Sequence, residues 1–314
     1  MAVYTQVSAE ALGRFLERYD VGALVSAKGI AEGVENSNYL VDTNDGRFIL
    51  TLYEKRVDAG DLPFFMALLD HLAARGLPVP PAIRDRDGIA IQTLEGRPAC
   101  LIQFLPGVSV TRPTPAQART AGAALADLHA AVADFDGGRP NSLGVAAWRP
   151  LLDRCGRDLD TIAPGLFARV DAALAEVEAA WPHDLPACVI HADLFPDNVL
   201  MLAAQVTGLI DFYFACRDLR AYDVAVMHTS WAFDPVGTPL PGVGASLMTG
   251  YGPRLLTEER AALPVLARGA CIRFLLTRAW DWLNTPADAL VTRKDPLAYL
   301  RRLDWYDAHP EAFA

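Results

Sequence analysis

The chain changes character near residue 100, and that change limits what it can fold into. Before it, short apolar runs alternate with turn signals. Residues 24–30, 39–42, 47–53 and 99–104 read as strands, and 43–46 as the turn of a hairpin, because Asp45-Gly46 suits a tight turn. Residues 83–94 read as a further hairpin around Asp87-Gly88. Helices are expected over 8–19, with Ser8 as cap, and over 61–75, which Gly76 and the cluster Pro78-Val79-Pro80-Pro81 stop. Past Leu105-Pro106-Gly107 the pattern is helical and rich in Ala and Leu. It covers 114–133, started by Thr114 with Pro115 at the first position, then 164–180, 219–231 and 257–284. Short apolar runs at 188–191 and 206–211 flank a charged segment. This order predicts an α+β class with two lobes. A small β-rich N-terminal lobe spans 1–105, and a larger, mainly helical C-terminal lobe spans 106–314. Such a plan leaves a cleft, a common place for ligands.

Composition narrows the function. The formal charge is −10, whereas a nucleic-acid surface needs clustered Lys and Arg. No nucleic-acid partner is therefore expected. The negative field instead favours an acceptor that carries an amine. No apolar run reaches the roughly twenty residues of a membrane span. The N-terminus lacks a basic stretch followed by an apolar one, so the expected address is the cytoplasm. The five cysteines are odd in number and scattered, without Cys-x-x-Cys. They read as reduced, buried small hydrophobes rather than as a disulfide or zinc framework.

The charged segment is His191-Ala192-Asp193-Leu194-Phe195-Pro196-Asp197-Asn198, and Asp211 ends the apolar run that follows. Both Asp193 and Asp211 thus stand at strand ends, where a packed scaffold presents functional groups. The residue types suit phosphoryl transfer. Asp193 is placed to orient an acceptor hydroxyl and take its proton. Mg²⁺ takes oxygen ligands, usually a carboxylate or two with phosphate and water. Asp211 and Asn198 offer a carboxylate and a carboxamide oxygen. Protein kinases carry His-Arg-Asp, four residues and Asn, then Asp-Phe-Gly. Here Ala192 stands in the Arg position and Tyr213 in the Gly position. His191 reads as a hydrogen-bonded support, with Leu194 and Phe195 as anchors in the core.

On these residues the sequence resembles the aminoglycoside phosphotransferase and choline kinase superfamily, which has the protein-kinase-like fold. Segments 29–39, 48–54, 189–198, 209–215 and 279–286 look like its bacterial homoserine kinase branch. The last of these is Ala279-Trp280-Asp281-Trp282-Leu283-Asn284-Thr285-Pro286, so the resemblance covers nearly the whole chain. It implies ATP-dependent phosphorylation of the L-homoserine hydroxyl, a step of threonine biosynthesis, with ATP and Mg²⁺. Asp193 is then the base, and Asn198 and Asp211 the metal ligands.

The resemblance also places Gly33, Asn36 and Ser37 in the turn that covers the phosphates. The backbone of Gln103 and Leu105 falls at the adenine edge. The phosphate-binding Lys of the third strand is replaced by Thr51. Lys55 is the nearest substitute and Lys28 a lesser one. For the acceptor, Arg217 and Arg220 could meet a carboxylate and Asp218 and Asp223 an amine, with Trp231 and Trp282 as walls. Arg220 with Asp223 reads equally well as an ion pair on a helix surface. A kinase for another small amino alcohol or sugar and a pseudokinase regulator are the alternatives.

Overall fold

The computed structural model describes residues 5–30, 36–54, 58–285 and 293–313. They divide into two compact units, Met1–Pro106 and Gly107–Ala314.

The first unit runs α1 (Ala9–Leu16), β1 (Leu24–Ile30), β2 (Ser37–Thr43), β3 (Arg47–Leu52), α2 (Leu62–Ala74), β4 (Ala82–Ile83), β5 (Gln92–Leu94) and β6 (Arg97–Gln103). The sheet order is β1-β2-β3-β6-β4, with β5 on β6, and all these pairs are antiparallel. Successive strand side chains point to opposite faces. In β2 this buries Ser37, Tyr39, Val41 and Thr43, with the residues between them partly exposed. Leu12, Phe15 and Leu16 of α1 join Val41, Leu50, Leu52 and Leu101 in one core. Burying a side chain of that size stabilises by about 1.5–3 kcal/mol. Ser8 caps α1 by accepting from the Ala11 N–H at 3.1 Å. The 43–46 turn closes as expected, with the Thr43 N–H donating to Gly46 O at 2.8 Å.

Residues 83–94 do not form the expected hairpin. β4 and β5 each pair with β6 and not with one another. Asp85 explains the difference. Its buried Oδ1 accepts from the Asp87 N–H at 3.0 Å and the Ile89 N–H at 2.8 Å, so the Asp87-Gly88 signal makes a local Asx-type turn instead.

The second unit runs α3 (Pro115–Ala131), α4 (Val145–Cys155), α5 (Leu159–Ile162), α6 (Leu166–Ala180), β7 (Ala187–Ile190), β8 (Val199–Leu202), β9 (Gln205–Leu209), β10 (Cys216–Leu219), α7 (Arg220–Trp231), α8 (Val243–Tyr251), α9 (Thr257–Asn284) and α10 (Leu297–Ala308). The apolar runs on either side of the charged segment do not pair together. β7 pairs with β10, and β9 with β8. α4, α5, α8 and α10 have no counterpart among the sequence expectations. α4 carries Pro150 in its interior, and α8 holds Gly244 and Gly250, both poor helix signals. Those glycines serve packing: a Cβ at Gly250 would strike the Arg119 backbone, and one at Gly122 the Leu247 backbone. α3 and α8 therefore cross at backbone contact, which brings Tyr251 to His129. α7 is buried on every side, from Ala221 to Trp231. A helix without a solvent face forms a unit's centre, and it is from here that the charged segment is held. The five cysteines are free, and all but the half-buried Cys188 are buried.

Candidate active site

Asp193 lies in the loop after β7, and Asp211 just beyond β9. The positive φ values of Ala192 (63°) and Asp211 (65°) mark both segments. A left-handed conformation costs a non-Gly residue roughly 1–2 kcal/mol, so the surroundings must hold it. At Ala192 two buried charges do so. Its N–H donates to Asp223 Oδ1 at 2.8 Å, and its carbonyl accepts from Arg273 Nη1 at 2.7 Å. Hydrogen bonds to charged groups are roughly twice as strong as neutral ones, enough to offset the strain.

His191 joins the two segments. Its N–H donates to Asp223 Oδ2 at 2.8 Å. Its ring Nε2–H donates to Ile210 O at 3.0 Å, and Nδ1 accepts from the Asp193 N–H at 3.3 Å. These partners assign a neutral, Nε2-protonated ring. Burial pushes its pKa down, partly opposed by the charge of Asp223. The Ile210 N–H in turn donates to Asn198 O at 3.0 Å. The ring packs 4.5 Å from that of Phe212, beside Asp211. His191 is the support that its position implied.

Asn198 turns its Nδ2 to Asp193, with 2.7 Å to the backbone O and 3.2 Å to Oδ2. Its Oδ1 is thereby directed away from Asp193, the orientation a cation ligand needs. Half-buried Asp193 is raised well above the usual carboxylate range. Desolvation is the main cause, and Asp211 and Asp197 add to it, while Arg273 and Lys294 oppose it. Among the described residues no three His, Cys, Asp or Glu cluster as a self-sufficient metal cage. One carboxylate and one carboxamide oxygen fit Mg²⁺, which takes the rest of its shell from phosphate and water.

Several proposed ligand groups have other work here. Asp223 is fully buried, and beyond His191 and Ala192 its Oδ2 meets His129 Nε2 at 3.0 Å. His129 Nδ1 meets the Tyr251 hydroxyl at 2.9 Å. Burial raises the Asp223 pKa, but the His129 hydrogen bond and charge and those of His191 outweigh it, and the net shift is down. Asp223 therefore orients the loop and does not meet an amine. Trp231 is likewise fully buried and donates Nε1–H to Leu194 O at 2.9 Å, so it walls no pocket. Arg220 pairs not with Asp223 but with buried Glu259, Nε to Oε1 at 3.1 Å. Arg217 is exposed on β10, opposite Val189. Asp218 accepts from Asn141 Nδ2 at 2.6 Å. Trp282 carries the guanidinium of Arg293 at 4.7 Å.

In the first unit, Ser37 is fully buried. It donates to Glu54 Oε1 at 2.7 Å and accepts from the Thr5 N–H at 3.0 Å. Buried Asn36 accepts from the Glu54 N–H at 3.3 Å. The Ser37 hydroxyl thus closes strands and does not face a phosphate. Thr51, in the place of the strand Lys, donates to Asn38 Oδ1 at 2.8 Å. The Gln103 N–H donates to Pro81 O at 3.1 Å, which removes it as an adenine donor. Gly33 and Lys55 lie outside the described residues. Arg273 and His129 escaped the sequence reading. A charge inside Cys271-Ile272-Arg273-Phe274-Leu275-Leu276 was the available signal for Arg273.

The profile of the phosphotransferase enzyme family matches residues 26–262. Spectinomycin phosphotransferase, solved with ADP and spectinomycin, superposes with a TM-score of 0.74 at 14% identity, covering 98% of this chain and 100% of that one. A choline kinase from Cryptosporidium parvum gives 0.68 at 12% identity, covering 97% and 96%. The fold is thus that of the protein-kinase-like small-molecule phosphotransferases. Homoserine kinase from Gluconobacter oxydans is 56% identical over 96% of this chain and 97% of its own. That from Xanthobacter autotrophicus is 54% identical over 98% and 97%. The chain belongs to the phosphotransferase enzyme family and, within it, to the homoserine kinases. No helix among the described residues is long and apolar enough to cross a membrane.

Proposed function

We propose that this chain transfers the γ-phosphoryl group of ATP to the hydroxyl of L-homoserine, giving O-phospho-L-homoserine and ADP. The observation that carries this reading is identity of 54–56% to homoserine kinases along nearly the whole chain. The enzyme then serves threonine biosynthesis in the cytoplasm.

Asp193 is the base. The acceptor oxygen forms its bond to the γ-phosphorus, the bond from that phosphorus to the β-bridging oxygen breaks, and the hydroxyl proton passes to Asp193. A carboxylate whose pKa is raised by burial is a stronger proton acceptor than an ordinary Asp. Asn198 Oδ1 and Asp211 are the residues that would hold Mg²⁺, which when bound would offset charge on the phosphoryl oxygens. His191, Asp223 and Arg273 keep the loop in its strained form, so that little reorganisation is left for the reaction. For nucleotide binding, residues 1–105 supply Gly33, Asn36, Lys55 and the Leu105 backbone, while 106–314 carry the catalytic and acceptor groups.

The test is a panel of acceptors with Mg-ATP, following ADP release. L-Homoserine should give a kcat/KM far above that of choline, ethanolamine or an aminoglycoside. Equal or better turnover of one of those would reassign the acceptor. Omitting Mg²⁺ should abolish turnover.

A further inference from the structure

The acceptor proposed above carries a carboxylate that none of the groups placed so far receives. Its short carbon chain keeps that carboxylate within one amino-acid length of the hydroxyl. A cation near Asp193 must meet it. Arg273 and Lys294 act on Asp193, and Asp193 acts on Arg278. Arg217 is exposed on β10, and Arg220 is already paired with buried Glu259.

Arg273 is 1% exposed, and its Nη1 holds Ala192 O. A ligand does not reach it. Lys294 stands 3.6 Å from Asp197 and is already paired. Arg278, on α9, is different. Among the described residues no carboxylate lies within ion-pair distance of it. Its hydrogen bond is a long one, Nη1 to Asp295 O at 3.4 Å. Its guanidinium rests on the Tyr299 ring, 4.6 Å from the centroid. Tyr299 stacks on Phe274 at 5.2 Å, and Phe274 packs at 4.8 Å against Phe195 of the catalytic loop. This series of rings links Arg278 to the loop that carries Asp193, whose charge acts on it. Arg302, 4.3 Å from the same Tyr299 ring, is 3% exposed and donates to Asp234 O at 2.9 Å, so it is closed off. Burial pushes the Arg278 guanidinium down, opposed by Tyr299. A cation in that state gains most from an anion.

We propose that Arg278 receives the α-carboxylate of the acceptor amino acid and thereby selects amino acids over simple amino alcohols. Its planar fork matches a carboxylate with paired N–H···O bonds. The proposal rests on the homoserine reading, and the test separates the two.

Kinetics of the full chain with Mg-ATP should compare L-homoserine with 3-aminopropan-1-ol, which keeps the amine and hydroxyl but lacks the carboxylate. Where the amino alcohol turns over too slowly, its inhibition constant against homoserine replaces the rate. Arg278→Met should lose roughly 10- to 100-fold in kcat/KM for homoserine, mainly through KM. Its constants for aminopropanol and the KM for ATP should move by less than about twofold. Arg278→Lys, which keeps the charge but not the fork, should fall between. It carries the same comparison if Arg278→Met does not fold. Equal losses on both acceptors, or no loss on homoserine, would overturn the role of Arg278. Wild-type enzyme that prefers aminopropanol would instead overturn the homoserine reading itself, and this inference with it.

Discussion

Two regions of this chain bury polar side chains, and they use them in opposite ways. In the first unit, Ser37 and Asn36 pair with Glu54, just past β3, and Thr51 with Asn38 on β2, so these partners stand 13 to 18 residues apart. In the catalytic loop, Ala192 and Leu194 are held by Asp223, Trp231 and Arg273, which stand 31 to 81 residues away. His129 reaches Asp223 across 94 residues. The strand pairs would form wherever those strands meet. The loop is held only once α3, α7 and α9 have assembled around it. Sequence distance marks the difference: Glu54 brings a charge to the first unit as well, but only partners from distant helices hold a left-handed Ala192 that local structure would not adopt.

Asp193→Asn should lower kcat by about 10²–10⁴-fold, as loss of a positioned base does. ATP should still bind, and ADP release would be the measure. The same variant should melt no lower at pH 7. A carboxyl whose folded pKa is raised contributes stability below its unfolded pKa and loses it as pH rises through the folded pKa. Asn never ionises and avoids that loss. A clear fall in melting temperature would mean that the Asp193 charge is structural.

Asp223→Ala should be the most damaging for stability. It leaves the buried His191 and Ala192 N–H groups and His129 without their acceptor, at a cost of about 3–5 kcal/mol. Denaturant midpoints would measure this, and activity should fall with the loop. Survival of full activity would show that the loop holds itself.

Acid should act on the same unit. Burial pushes His228 down to about 3, and His191 is also held neutral. The unfolded chain binds these protons near pH 6.5 while the folded one does not, so stability falls as pH drops through that value. Between pH 7 and 5, His228 alone should remove about 2 kcal/mol. Denaturant titrations of wild type and His228→Asn should differ in slope against pH, with the variant flatter.

The smallest effect is expected in the first unit. Ser37→Ala removes a hydroxyl from Glu54 and from the Thr5 N–H, worth about 1–3 kcal/mol. The KM for ATP should stay unchanged. A large rise in that KM would return Ser37 to the nucleotide site and weaken the contrast drawn here.

Much of this was legible in the chain itself. The strand over 24–30 and the helix over 257–284 match to the residue, because turn signals and helical periodicity are local. The spacing of His191, Asp193, Asn198 and Asp211 points to phosphoryl transfer, because the chemistry fixes the residue types. The 83–94 hairpin failed where a single side chain, Asp85, outweighed a good turn signal. Asp223 and Trp231, expected at the acceptor, are fully buried instead, for a related reason. Polar residues after a catalytic motif look alike in sequence whether they face a ligand or a backbone amide.

The sequence by itself thus determined the family, the α+β fold class and the reaction class. These follow from periodicity and from chemistry that demands fixed types at fixed spacing. Only the tertiary structure decided which charges hold Ala192, why Asp223 is inward-facing, and that Arg278 rests on the Tyr299 ring with no carboxylate at ion-pair distance among the described residues. Burial and pairing between distant segments leave no periodic trace, so they exist as information only when the chain is folded.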